Sequence, residues 1–382
     1  MTVQTTAPTT SHGPHAEREP SLGGRPWLRR AVFLVPAGVT MLAGLDAALM
    51  LLGVPAPVSA ERLPDVHGML LVFGFVGTLI SLERSVALRR AAGFLAPGLL
   101  GLGGLLLLSP APLRVGQATL VLGAAAMTAV YVPLWRRQRD DAVLVQALGA
   151  VLAVGGLALW LAGLTVATTL PWLVGFIVLT IGGERLELAR IAMGPGAGGR
   201  LVLLSSGLMV GVVASLLWPS VGYPLLGAAL LALVLWLATH DVARRTVRSR
   251  GLTRFMAGCM LAGYLWLAVA GATWLLGGSA AEGSRYDAVV HAVFLGFTIS
   301  MIMAHAPVIL PAVLRRPLPY HPALLVPAVL LHVAIGIRLW LGDALGLHTA
   351  WQVGGVLNVT ALLLFVVLAV WSASRRPARR TA

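Results

Sequence analysis

Long apolar runs recur along the whole chain and are separated by short polar segments. Each run is about twenty residues long, which is the length that an α-helix needs to cross the hydrocarbon core of a bilayer. The runs are continuously apolar, whereas the strands of a transmembrane barrel alternate apolar and polar residues. The pattern therefore predicts an all-α polytopic membrane protein in which every span is helical.

The number of runs predicts twelve transmembrane spans. They cover residues 31–53, 65–87, 92–110, 115–135, 142–165, 169–191, 200–218, 222–243, 254–277, 286–309, 322–342 and 350–373. Because the loops are short, residues 25–374 are expected to form a single membrane domain. Residues 1–24, rich in Pro, Ser, Thr and Gly, predict a disordered cytoplasmic tail, and residues 375–382 predict a basic one.

The positions of the basic residues predict the orientation of the spans. All 28 are arginine, and they cluster before span 1 and after each even-numbered span. Such residues concentrate in cytoplasmic loops, so we expect a bacterial-type cytoplasmic membrane protein with both termini in the cytoplasm. The net charge of +14 then reflects contact with the headgroups of the lipid bilayer, and no nucleic-acid partner is expected.

A short repeat divides the spans into three groups of four. Residues 74–84 in span 2 read GFVGTLISLER, and residues 175–185 in span 6 read GFIVLTIGGER. In span 10, Gly296 and Phe297 are followed after seven residues by His305, where the other two spans have glutamate. The repeat predicts three quasi-equivalent four-helix units.

Two histidines occupy matching places in this repeat. His67 opens span 2 and His291 opens span 10, and both helices are predicted to run from the outside inward. Neutral imidazole is the commonest protein ligand for metals, and two imidazoles at one depth suit a haem with iron between them. The sequence thus predicts a bis-His haem b. The alternative is that each histidine hydrogen-bonds a neighbouring helix.

Arg338 is the arginine that lies well inside the outer end of a span. A buried guanidinium needs an anion, and a haem propionate would accept two hydrogen bonds from it. The competing partners are Asp287 and Asp343, and the third possibility is extension of the side chain to the membrane surface.

Four further polar residues lie within predicted spans. Glu83 and Glu184 are expected to form ion pairs between helices, or alternatively to mark the mouth of a proton or ion path. His305 holds the equivalent position in span 10, so we predict that it is a polar partner of these two carboxylates. His332, in the middle of span 11, is expected to have a packing or supporting role.

The twelve spans in three groups of four, with histidines opening spans 2 and 10, resemble subunit I of the heme-copper oxidases. Within that architecture the chain is most similar to the NnrS family through HGMLLVFGF in span 2 and HAVFLGFTISMIM in span 10. The resemblance implies a haem protein involved in resistance to nitric oxide or nitrosative stress. It also implies that His67 and His291 are the iron ligands.

The sequence departs from the oxidase pattern where copper would bind. Oxidases of that class carry copper ligands on helices 6 and 7, whereas spans 6 and 7 contain no histidine here. We therefore expect a haem-binding protein without an oxidase-type copper site. Its expected partners are nitric oxide or another small gas, and a quinol or a protein as electron donor.

Two other functions remain open at this point. The first is a quinol-linked gas reductase with an unusual metal site at His305 and His332. The second is a transporter for a small solute or protons, with Glu83, Glu184 and His305 along the path.

Overall fold

The computed structural model describes residues 31–314 and 318–374, and this part of the chain consists of helices and short connections without a β-strand. Twelve of its helices are long and apolar enough to cross a membrane. They are α1 (Leu34–Leu51), α2 (Leu63–Leu88), α3 (Ala91–Leu108), α4 (Leu113–Gln138), α5 (Asp141–Leu161), α6 (Val166–Met193), α7 (Ala197–Leu217), α8 (Pro219–His240), α9 (Gly251–Gly277), α10 (Gly283–Pro311), α11 (Pro322–Ala344) and α12 (His348–Ser374). The predicted all-α polytopic membrane protein with twelve spans is confirmed, and the ends of the helices agree with prediction to within a few residues. Both predicted tails, residues 1–24 and 375–382, lie outside the described residues.

Local chemistry explains where several of these helices begin and end. Asp140 accepts a hydrogen bond from the backbone N–H of Ala142 at the start of α5, and Thr165 does the same for Thr168 at the start of α6. Such caps satisfy N–H groups that have no partner inside the helix. Arg89 and Arg139 end α2 and α4 in the left-handed conformation, which closes a helix without continuing it.

The helices form a closed ring of three units. In each unit the first helix packs against the second and the third, and the last helix packs against the third: α1–α4, α5–α8 and α9–α12 all follow this scheme. Contacts between α4 and α5, between α8 and α9, and between α12 and α1 join the units. The quasi-equivalence that the sequence repeat predicted is therefore present in the packing.

The second helix of each unit, α2, α6 or α10, lies nearest the centre of the ring. These three spans are the most buried, with 67%, 78% and 67% of their apolar windows inside the molecule. The rings of Phe73 in α2 and Phe176 in α6 stack at 5.5 Å across the centre. Function-bearing residues on these helices are thus held away from lipid by the surrounding nine spans.

The repeated glycine has a steric cause that is the same in all three units. A Cβ atom on Gly74, Gly175 or Gly296 would lie 2.9, 2.5 or 2.4 Å from the nearest side chain, which belongs to the first helix of its unit. Only glycine permits such close approach of two helix backbones. The Gly-Phe repeat therefore marks where each central helix packs against the first helix of its unit.

Candidate functional site

A pocket lies between the starts of α2, α6 and α10. His67, Val166 and His291 line it together, and α11 and α12 contribute Arg338 and Asn358. The cavity itself measures about 90 Å³, within about 750 Å³ of space between side chains that includes open solvent. We call this region the His67 end of the bundle. The structure thus brings together the two histidines and the arginine that the sequence predicted for a haem site.

The two imidazoles are held in the same way. Nδ1 of His67 donates to the carbonyl oxygen of Gly44 in α1 at 2.8 Å, and Nδ1 of His291 donates to the carbonyl oxygen of Asp287 at 2.9 Å. A carbonyl oxygen only accepts, so Nδ1 carries the hydrogen and Nε2 keeps its lone pair. Hydrogen bonding of one ring nitrogen to a carbonyl is what fixes the tautomer and orientation of metal-binding histidines.

Both helices change their winding directly after the histidine. A π-helix runs over Leu70–Gly77 in α2 and over Ala292–Ile299 in α10, and a third runs over Ile337–Ala344 in α11. Such segments are rare and occur frequently at functional sites, because the extra residue per turn redirects neighbouring side chains. The three helices that carry His67, His291 and Arg338 therefore have this distortion at or near those residues, and no sequence pattern predicted it.

Arg338 has an internal partner in the structure. Its Nε and Nη2 both donate to the carboxylate of Asp287 at 2.7 Å, and its guanidinium lies over the ring of Trp351 at 4.7 Å from the centroid. Of the partners considered from the sequence, Asp287 is the one present, and Asp343 is not paired with Arg338. Because Asp287 also contacts His291, the ion pair joins the arginine to one of the two histidines.

Asn358 is a residue of this pocket that sequence reasoning missed. It is 3% exposed and lines the pocket from α12, yet neither atom of its side-chain amide has a hydrogen-bond partner among the described residues. A buried amide without partners costs free energy, so a group inside the pocket would stabilise it. A lone asparagine in an apolar span was the available signal.

A second polar site lies at the other ends of the same three helices. Arg84 of α2 contacts three carboxylates: Glu83 at 2.8 Å, Glu187 at 2.9 Å and Glu184 at 3.6 Å. The predicted ion pair between helices is present for Glu184, which pairs with Arg84 across α2 and α6, whereas Glu83 pairs with Arg84 next to it on the same helix. Glu187 was missed, although it lies three residues after Glu184 and so falls on a similar helix face. We call this region the Glu184 end.

His305 lies at the Glu184 end, but its direct partner is not a carboxylate. Its Nε2 is 3.0 Å from Nη1 of Arg185, and its Nδ1 is 2.8 Å from the carbonyl oxygen of Met301. Arginine only donates, so Nε2 accepts and Nδ1 carries the hydrogen. Among the described residues, no hydrogen bond or ion pair joins His305 to Glu83 or Glu184, so the predicted partnership is not present as a direct contact; the partner of the imidazole is Arg185, which also binds Asp241. One pocket, with about 950 Å³ of non-atom space, is nevertheless lined by His305, Arg185, Glu83 and Glu184 together.

Asp241, just after α8, completes this network. Arg185 donates to both of its carboxylate oxygens, at 2.8 and 3.0 Å, and the hydroxyl of Tyr264 donates at 2.7 Å. Burial of the carboxyl acts to raise its pKa, but the hydrogen bonds and charge of Arg185 outweigh burial and hold that pKa below its ordinary value. Asp241 therefore keeps Arg185 in place for His305.

His332 belongs to neither end. Its Nδ1 accepts from the indole N–H of Trp266 at 3.0 Å, and its Nε2 is 3.5 Å from the hydroxyl of Ser300. The residue joins α9, α10 and α11, as expected for a supporting role. The structure does not bring His332 together with His305, and the part of the chain that it describes holds no group of three His, Cys, Asp or Glu residues arranged for a metal ion.

Comparison with known proteins assigns the chain to a family but not to an activity. The family model for a domain of unknown function, DUF8744, matches residues 30–374, so the chain belongs to that family. No curated protein matches the sequence.

Proposed function

We propose that this member of the DUF8744 family is a haem-binding membrane protein with His67 and His291 as the two axial ligands of a haem b. The observation that carries the proposal is the shared geometry of the two imidazoles. Each has its Nδ1 hydrogen occupied by a backbone carbonyl, and both rings line one pocket. Two Nε2 lone pairs are thereby available to one group between α2 and α10.

The other residues of the pocket fit a haem. The walls are mainly aliphatic and aromatic, which suits a porphyrin ring, and the amide of Asn358 offers a donor and an acceptor that the protein leaves unused. Gly68, next to His67, has only one side-chain atom within 4 Å of its Cβ position, so the ring can approach the backbone there. Arg338 also lines this pocket. Its Nη1 has no acceptor among the described residues, so it could donate a hydrogen bond to a haem propionate.

The biological setting that we propose is the response to nitric oxide or related stress, as in the NnrS family that the sequence resembles. A haem held by two imidazoles would supply transfer of single electrons, and it would bind a small gas only where the gas displaces one imidazole. The protein residues orient the imidazoles, exclude water and hold the charge of Arg338 beside the pocket. We propose binding, sensing or electron transfer, with a quinol or a protein as donor, rather than a complete reductase.

Absorption spectroscopy of the purified protein tests the haem. We expect the Soret band of a six-coordinate low-spin haem, and loss or strong weakening of that band in His67→Ala and in His291→Ala. His240→Ala is the matched control, because His240 makes the same bond as His291 to a carbonyl of its own helix but lies outside the pocket. A colourless, iron-free preparation from haem-replete cells would reject the proposal.

We also propose that both termini face the cytoplasm, which places His67 and His291 toward the outer side of a bacterial-type cytoplasmic membrane. The argument is the asymmetry of arginine between the loops. Reporter fusions after Arg139 and after Arg250 should report cytoplasm, and fusions at Ala167 and Glu282 should report the opposite side. An inverted result at any of these positions would contradict the orientation.

One observation favours a second candidate, a transporter for a small solute or protons. The pocket at the Glu184 end is lined by charged groups inside the bundle, and such residues in spans mark ion or substrate pathways. Uptake by proteoliposomes separates the two functions. Transport by colourless protein would support the second candidate, whereas haem-replete protein without transport supports the first.

A further inference from the structure

The two histidines of the His67 end differ in how firmly the protein holds them. His67 is fixed by a hydrogen bond to another helix, from its Nδ1 to the carbonyl oxygen of Gly44 in α1. His291 is fixed within its own helix, because its Nδ1 donates to the carbonyl oxygen of Asp287 one turn earlier. The bond of His67 therefore depends on the packing of α1 against α2, whereas the bond of His291 is part of α10 itself.

A carboxylate reinforces only the second of these bonds. Oδ1 of Asp287 lies 3.2 Å from Nδ1 of His291, beside the N–H that the backbone carbonyl accepts. Among the described residues, no aspartate or glutamate makes such a contact with His67. A carboxylate at one ring nitrogen makes the other nitrogen more basic and so a stronger metal ligand. Nε2 of His291 should therefore bind iron more strongly than Nε2 of His67.

The carboxylate is itself held in place. Nε and Nη2 of Arg338 donate to its two oxygens, both at 2.7 Å, and the guanidinium packs over the ring of Trp351. The pairing shares the charge of Asp287 with Arg338, which weakens its effect on His291 but leaves Oδ1 beside Nδ1. Asp287 thus restricts His291 to one tautomer and one ring orientation.

The residues that follow the two histidines also differ. Gly68, after His67, has a single side-chain atom within 4 Å of its Cβ position, 3.9 Å away on Val166. Ala292, after His291, is fully buried. The backbone beside His67 is therefore less tightly packed than the backbone beside His291, which favours movement of the first imidazole.

We infer that His291 is the ligand that stays on the iron and that His67 is the ligand that a small gas displaces, with Asp287 as the positioning residue behind the difference. The inference rests on the haem proposed above and adds which of the two matching positions in the repeat is exchangeable. The exchange is a ligand substitution. The bond from iron to Nε2 of His67 breaks with its lone pair left on nitrogen, and the gas donates a lone pair in its place. No oxidant, reductant or proton takes part.

Carbon monoxide added to the reduced, purified full chain tests the exchange. His67→Ala should keep a five-coordinate haem on His291 and bind carbon monoxide about tenfold more tightly than the wild-type protein, since no imidazole has to leave. His291→Ala should hold haem about tenfold more weakly than His67→Ala, because its remaining imidazole lacks a carboxylate partner. Equal haem affinity in the two variants, or the opposite order, would overturn the inference and leave the proposed function standing. Colourless wild-type protein would overturn both.

Asp287→Asn tests the positioning residue and is combined with His67→Ala, so that His291 is the imidazole under study. The asparagine keeps an oxygen for Arg338 but loses the charge, so the iron–histidine stretching frequency in resonance Raman spectra of the reduced protein should fall. Asp287→Glu should recover part of the loss. Asp65→Asn, at an exposed position two residues before His67, is the control and should leave the frequency unchanged.

An unchanged frequency in folded Asp287→Asn protein would overturn the role of Asp287. If that variant does not fold, the haem affinities of His67→Ala and His291→Ala still decide which imidazole is exchangeable, because both variants keep Asp287.

Discussion

The polar side chains at the two ends of α2, α6 and α10 differ in how completely their hydrogen bonds are formed within the protein. At the His67 end, the imidazoles of His67 and His291 and the amide of Asn358 leave hydrogen-bonding atoms directed at a mainly apolar pocket. At the Glu184 end, two neighbouring clusters hold the polar groups: Arg84 pairs with the glutamates, and Arg185 binds Asp241 and His305.

This contrast supports different proposed roles for the two ends. Unused hydrogen-bonding atoms around a pocket are costly unless a ligand satisfies them, which is the basis for the proposal that the His67 end binds a ligand. A network of buried charges is stable only when its members are paired, so the Glu184 end holds the central helices together. Glu184 itself is the member that the network leaves without a hydrogen bond.

The largest expected effect comes from breaking the network at Arg84. Arg84→Met would leave Glu83, Glu184 and Glu187 without their shared cation inside the bundle. Loss of one partner of a buried ion pair costs about 3–5 kcal/mol, which denaturation in mild detergent would show as a large loss of stability. Arg200→Met, at an exposed position, is the control and should leave stability unchanged. Equal stability of the two variants would show that the ion pairs of Arg84 do not stabilise the fold.

Filling the pocket at the His67 end should lower haem binding and leave the fold intact. Gly68→Phe places a ring in the space beside His67 without removing either histidine. Overpacking of this kind costs about 1–3 kcal/mol, so we expect haem affinity to fall about tenfold while the apoprotein stays folded. Gly258→Phe, on α9 with open space at its Cβ, is the control. Retention of the full Soret band in Gly68→Phe would place the haem elsewhere.

His305 gives a smaller and more specific effect. His305→Ala removes the acceptor for Nη1 of Arg185 and should lower stability by about 1–3 kcal/mol, because a buried charged donor is left unpaired. His305→Gln retains an acceptor and should recover part of the loss. The haem spectrum should not change in either variant. A lost Soret band in folded His305→Ala protein would move the metal site to the Glu184 end.

The smallest effect concerns the pH dependence that Asp241 contributes. Its pKa is below the ordinary value in the folded protein, so its stabilisation is present above the unfolded-state pKa and is lost as pH falls through the folded-state pKa. Stability measured from pH 6 downward should therefore decline, with a slope of about 1.4 kcal/mol per pH unit at most for one group. Asp241→Asn should be less stable at neutral pH and should show a weaker decline. Parallel curves for the two proteins would contradict this role.

The sequence was most informative about features with a one-dimensional signature. Twelve apolar runs predicted twelve helices because span length follows from membrane thickness. The Gly-Phe repeat predicted three units, and the structure shows why: Gly74, Gly175 and Gly296 each pack closely against the first helix of their unit. The grouping of His67 and His291 in one pocket was also predictable, because equivalent helices place equivalent residues at one depth, and Arg338 was expected there from its place near the outer end of span 11.

The hydrogen-bond partners between helices could not be predicted from the sequence. The sequence named Asp287 and Asp343 as candidates for Arg338, and only the packing of α10 against α11 selected Asp287. Likewise, it predicted Glu83 and Glu184 as partners of His305, whereas the imidazole hydrogen-bonds Arg185. Hydrogen-bond choice depends on differences of about an ångström, which residue spacing along a helix does not specify.

Hydropathy, arginine placement and the glycine repeat are properties of the chain itself, and they determined the number of spans, their helical character and their threefold grouping. The tertiary structure alone decided that α2, α10 and α11 adopt π-helical turns, that Asn358 faces the pocket of His67, and that Glu184 lacks a hydrogen bond. The physical reason is that burial and hydrogen-bond satisfaction are relations between helices distant in sequence. They arise only when all twelve helices pack at once.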